Sequence, residues 1–278
     1  DSPRGPLNLR IGVINIMPKA EGYEKPLLET LGMTGFKVQP LWIRLSTHAY
    51  RSSDPLHLKR HYCVFSEAQR HGPLHGLILS GAPVEKIPYE EVNYWPELSS
   101  ILDLAGGEIP SVLGLCWGGL ALAKRLRVEK EIYPRKLFGV FQTRNLDPRD
   151  PLMEGVGELF PCPQSRYAGF RQADVERAER EGTFKALAWS KETGTTLFRT
   201  PDFRFVGHIG HPEYPTERLA LEYFRDKAKG LADVCGPVGY DPDHPLNTWG
   251  QAGVAFFRGW LRLLASLAEG SADEGERP

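Results

Sequence analysis

Three stretches of this chain are apolar at consecutive positions rather than at alternate ones: LRIGVINIM (9–17), HGLILSGAP (75–83) and IPSVLGLC (109–116). A strand that reads this way is buried on both faces, as a strand inside a parallel sheet covered by helices is. Helical segments follow them, EKPLLETLG (24–32) closed by Gly32 and WGGLALAKRL (117–126). KVQPLWIRL (37–45) reads as another strand, with Pro40 putting it at an edge or an irregular position. DPLHLKRHYCVFSEAQR has helical stretches, and YEEVNYWPELSSILDLA is helical at both ends, with Pro96 opening or kinking a turn. The alternation predicts an α/β fold: a mostly parallel sheet with helices on both faces.

The pattern changes after position 130. KLFGVFQTRNL (136–146) and TTLFRTPDFRFVGHIG (195–210) read as strands without helices between them, separated by a Pro-rich loop and the polar segment RQADVERAEREGTFK. Antiparallel strands beside the parallel sheet are expected there. TERLALEYFRDKAKGL (216–231) is amphipathic, with Leu219, Tyr223 and Phe224 facing inward, and 248–269 reads as a long packed C-terminal helix. Residues 1–268 are expected to form one domain and 269–278 a solvated, disordered tail.

Lys plus Arg number 34 and Asp plus Glu 35, a formal net charge of -1, which gives no electrostatic reason to bind nucleic acid or an anionic membrane. No apolar run reaches the ~18 residues of a membrane span, and DSPRGPLNLR shows no secretory leader. The four cysteines, Cys63, Cys116, Cys162 and Cys235, form no C-x-x-C pair, so a reducing cytoplasm is expected rather than disulfides or a zinc site.

Cys116 stands between Gly114 and Gly118 where a strand turns into a helix. That corner exposes a nucleophile at the sheet's carboxyl edge, and the helix N-terminus favours a thiolate. A free cysteine is also often just a small buried hydrophobe. In FVGHIGHPEY (205–214), His211 precedes Glu213 by two positions, so an imidazole that takes the thiol proton stands beside a carboxylate able to orient it. His208 is a weaker rival for the base. These residues fit a glutamine amidotransferase-type hydrolase and an acyltransferase equally.

INIMPKAE, LILSGAPVEKIPYEEVNYWPEL, CW at the elbow, KLFGVF, QSRYAGF, GHPEY, EYFRD and NTW, in this order over residues 9 to 264, resemble the homoserine O-acyltransferases, the homoserine O-succinyltransferase family. The resemblance implies a fold like that of class I glutamine amidotransferases and a Cys116–His211–Glu213 triad carrying an acyl group as a thioester. It implies that Lys136, Ser165 and Arg225 bind the amino-acid acceptor, and that Glu85 rather than glycine selects acetyl over succinyl. A plainer role for Arg225 is an ion pair with Glu222 on its own helix. Trp117 N–H suits the oxyanion, and Lys19 stands where the family often has two lysines. Implied substrates are acetyl-CoA, as co-substrate with no further cofactor and no metal, and L-homoserine. Gln164 in PQSRY and the FQTRNLDP loop depart from the family pattern, which keeps serine open as acceptor. Succinyl-CoA as donor, glutamine hydrolysis and a silent amino-acid-binding protein also stay open. A homodimer is expected from the family.

Overall fold

The computed structural model describes residues 8–230 and 235–275. The first half alternates as the sequence predicts. Strand β1 (Asn8–Ile14) leads to α1 (Glu21–Gly32) and β2 (Lys37–Ile43). Short α2 (Pro55–His61), β3 (Tyr62–Cys63) and α3 (Phe65–Arg70) follow. Then come β4 (Gly76–Leu79), α4 (Trp95–Glu108), β5 (Val112–Leu115) and α5 (Trp117–Arg125). The sheet order β3-β2-β1-β4-β5 is parallel throughout. Pro40 fits because two-residue β3 pairs only with Trp42 and Ile43. At Pro40, β2 therefore has a free edge and no bond is lost.

The second half is richer in structure than its sequence suggests. Long β6 (Lys130–Asn145) pairs antiparallel with β7 (Leu159–Phe170) over the segment read as a Pro-rich loop. β7 closes the ten-stranded sheet at one end, which is why Pro161 and Pro163 are tolerated. The polar segment forms α6 (Gln172–Arg180), with Val175 and Ala178 buried. β8 (Lys185–Ser190) and β9 (Gly194–Arg199) follow, and the long run expected at 195–210 breaks at a turn before β10 (Phe205–His208). β10 is antiparallel to β9 and parallel to β5, so the chain returns to the parallel sheet beside the Cys116 strand.

Helix α7 (Arg218–Ala228) turns Leu219, Ala220, Glu222 and Asp226 inward. The inward placement expected for Phe224 is corrected: it is 44% exposed, because the carboxylates of this helix find cationic partners inside. Helix α8 (Gly250–Gly275) runs past the domain boundary drawn at 268, so 269–275 is helical rather than tail. One core lies under α4 and α5, and another under α1 and α8. α8 sits on β4 so closely that a Cβ on Gly76 would come within 2.6 Å of Leu264. Among the described residues no helix is long and apolar enough to cross a membrane.

The elbow depends on two glycines. A Cβ on Gly114 would lie 2.4 Å from the Gly118 carbonyl oxygen, and one on Gly118 2.4 Å from that of Leu79. Backbone cannot yield as a flexible side chain does. Gly118→Ala is therefore expected to lower stability by about 1–3 kcal/mol, read as a fall in the thermal midpoint.

Candidate active site

Cys116 caps α5 with φ +50° and ψ -117°, a conformation a side chain rarely adopts. Its N–H donates to the His208 carbonyl of β10 at 2.9 Å, while Gly119 N–H donates to its own carbonyl at 3.0 Å. These bonds hold the strained corner in place. The Gly81 loop lies against it: a Cβ there would meet Cys116 Cβ at 3.1 Å and Sγ at 3.6 Å. Trp117 N–H, the first of α5, points from the helix start and has no acceptor one turn back.

Because β10 runs beside β5, the chain leaving it brings His211 to the thiol. Its imidazole interacts with Cys116 and, through Nδ1, is hydrogen-bonded with Glu213 Oε1 at 2.9 Å. His211 N–H donates to the Pro163 carbonyl at 2.9 Å, and Tyr214 stacks on the ring at 3.9 Å between centroids. Burial alone pulls the imidazole's pKa down, but Cys116 and then Glu213 outweigh it and hold the ring protonated well above its ordinary range. The resting imidazole is therefore the imidazolium, beside the Cys116 sulfur. His208 is excluded as the base. It is buried against Phe256, accepts at Nδ1 from Gly210 N–H, and burial pushes its pKa down to about 3.

The expected acceptor residues converge on two carboxylates that sequence reasoning missed as site residues. Lys136 Nζ lies 3.0 Å from Asp226 and 3.5 Å from Glu222. Ser165 Oγ donates to Glu222, as do Tyr214 Oη (2.9 Å) and Arg218 Nε (3.0 Å). Burial opposes the Glu222 charge, but Lys136 and Arg218 prevail and hold its pKa at about 2. Arg225 is half-exposed and pairs with Asp226 at 2.7 Å rather than with Glu222. The i,i+4 partner of Glu222 is Arg218. The only sequence signal for Glu222 and Asp226 was their place in EYFRD, where an acidic pair on an amphipathic helix reads as surface.

Glu85 is buried and accepts from the Tyr167 N–H at 3.4 Å, two residues from Ser165 on β7, so it is not a solvated loop residue. Lys19 is exposed at φ +53°, and its N–H donates to Ser52 Oγ. No contact of its ammonium with the triad is seen among the described residues.

A strained cysteine on a strand-to-helix corner, with an imidazole and a carboxylate at the exit of the next strand, is an arrangement able to support chemistry at a cysteine in an α/β fold. The fold is that of the glutamine amidotransferases. A glutamine amidotransferase from Thermotoga maritima aligns with TM-score 0.59 at 16% identity, covering 93% of this chain and 99% of its own. One from Methylobacillus flagellatus aligns with TM-score 0.58 at 16% identity, covering 93% and 96%. The chain belongs to the homoserine O-succinyltransferase family, whose profile matches residues 6–268, and it is an acyltransferase. Homoserine O-acetyltransferases are among its relatives. That of Lactococcus lactis subsp. lactis is 35% identical over 98% of this chain and 84% of its own. That of Geobacillus kaustophilus strain HTA426 is 36% identical over 91% and 84%.

Removing the Cys116 sulfur should release His211: in Cys116→Ala its imidazole is expected to titrate below its wild-type position, followed by NMR of the ring protons. Glu222→Gln strands the Lys136 and Arg218 charges and should cost on the order of 3 kcal/mol at neutral pH. A carboxylate depressed in the folded state contributes stability above its unfolded value, and this fades as pH falls toward 2. The gap between wild type and Glu222→Gln should therefore narrow below about pH 4.5 in denaturant titrations.

Proposed function

We propose that the protein moves an acetyl group from acetyl-CoA through a thioester on Cys116 to the γ-hydroxyl of L-homoserine, giving O-acetyl-L-homoserine for methionine synthesis. The observation that carries the mechanism is His211, hydrogen-bonded to Glu213 beside the strained Cys116 corner. The thiolate attacks the acetyl carbonyl. The oxyanion that forms is met by Trp117 N–H and the positive end of α5. The C–S bond to CoA then breaks, and His211 gives its proton to the departing sulfur. Now neutral, the imidazole takes the proton of the homoserine hydroxyl as that oxygen attacks the thioester. Collapse of the second tetrahedral intermediate restores thiolate and imidazolium. Glu213 supports the charge in both states.

Two features favour acetyl over succinyl. The named relatives are O-acetyltransferases, and Glu85 is buried beside the Ser165 strand, where it would repel a donor ending in a carboxylate. Lys136 and Arg225 already share the Asp226 carboxylate. In this reading the acceptor's carboxylate joins the same pair from the exposed side of Arg225, in the fork geometry guanidinium favours. Serine is one methylene shorter than homoserine, a difference worth only about 1–3 kcal/mol, so it is the acceptor to test beside it. The support for a homodimer is the family resemblance, and sedimentation checks it.

The decisive assay is thiol release from acetyl-CoA and succinyl-CoA with homoserine and with serine, together with intact-mass detection of acetyl-enzyme. Turnover with acetyl-CoA and homoserine is expected, falling by about four orders of magnitude in Cys116→Ala. Glu85→Gly should shift the succinyl-to-acetyl ratio upward at least about tenfold. Turnover with serine alone would move the enzyme to cysteine synthesis. Ammonia release from glutamine without acyl transfer would defeat the reading.

A further inference from the structure

The triad contains one atom with nothing to do. Glu213 Oε1 serves His211, but Oε2 is buried and has no well-formed hydrogen bond among the described residues. The hydroxyl of Tyr23, on the first turn of α1, is in the same position: buried, without a formed partner, and interacting with the Glu213 side chain and with Cys116. An acceptor and a donor stranded side by side in a desolvated site each cost free energy until they meet.

We propose that Tyr23 is a positioning residue of the relay, its hydroxyl donating to Glu213 Oε2 and holding the carboxylate on His211. The proposal rests on the Cys116–His211–Glu213 reading and adds a fourth member to it. Two features aim the phenol. The first turn of α1 is pinned where it leaves the Lys19 kink: Ala20 N–H donates to Ser53 Oγ at 2.9 Å, and Asn15 Nδ2 donates to the Ala20 carbonyl at 2.9 Å. From the other side, α1 faces the 212–215 loop across a small cleft lined by Pro26, Glu29 and Thr30 and by Pro212, Glu213 and Tyr214. Burial and the neighbouring Glu213 keep the phenol protonated, so it can only donate to a carboxylate. The other ionisable groups around the pair are Cys116, His211, Tyr214, Cys162 of β7, Arg218 and Glu222 of α7, and Glu29 of α1.

The role is read without any acyl substrate, by the rate at which iodoacetamide alkylates Cys116 across pH, with the modified peptide quantified by mass so that other cysteines do not intrude. Wild type, Tyr23→Phe, Glu213→Gln and the double variant are compared. With the hydroxyl gone the carboxylate is less well held on His211, so the imidazolium it supports gives way at lower pH and helps the Cys116 sulfur ionise less. Tyr23→Phe is expected to slow alkylation about tenfold near neutrality and to move the acidic limb up by about one pH unit. In the double variant the tyrosine change should add nothing to Glu213→Gln, because both act through one contact. In the acyl-transfer assay kcat should fall with KM unchanged. Should Tyr23→Phe not fold, Tyr23→Met fills the space without a donor and is read the same way. An unmoved pH profile with only a lowered thermal midpoint, or independent effects in the double variant, would overturn the proposal. A wild-type enzyme that fails to acetylate homoserine would sink the substrate assignment and leave the alkylation result to stand on its own.

Discussion

The hydrogen bond from the Cys116 N–H to the His208 carbonyl joins the two strand ends on which the site depends. It exists because β10 enters the sheet parallel to β5, with His208 opposite Leu115. Cys116 and His211 thereby stand just past the ends of adjacent strands of one sheet. The elbow's glycines serve the same constraint, allowing the first turn of α5 to press against β4 and β5 with no side chain between.

The site built on this frame is dominated by charge in a dry setting. Glu213 and the thiol hold His211 protonated against the pull of burial, and Lys136 with Arg218 holds Glu222 ionised against the same pull. The two clusters touch through Tyr214, which stacks on His211 and donates to Glu222. The Cys116–His211–Glu213 cluster and the Lys136–Glu222 cluster are thus one network, in which a change on either side reaches the other. His208, three residues earlier than His211, stays neutral because burial disfavours its charged form and His211 adds to that.

Much of this was legible in the chain. The elbow is local: strand, cysteine and helix are continuous, and small residues at its flanks are required by backbone contact within a few positions. His211 and Glu213 are two residues apart and announce themselves in the same way. What stayed hidden was set by distant partners. Glu222 and Asp226 read as the wet face of an amphipathic helix until Lys136 arrives from β6. Tyr23 reads as a core aromatic of α1, and β7 reads as loop because its prolines argue against a strand unless it lies at the sheet's end.

The sequence by itself determined the doubly covered parallel sheet, the strand-to-helix corner at Cys116 and the close spacing of His211 and Glu213. Hydrophobic runs, glycine placement and short-range spacing act over a few residues, so they are written in order along the chain. Only the tertiary structure decided that β10 lies beside β5, which carboxylates turn inward and which histidine is charged. Those outcomes depend on distance and desolvation between segments far apart in sequence, and burial inverts the preference a side chain has in water.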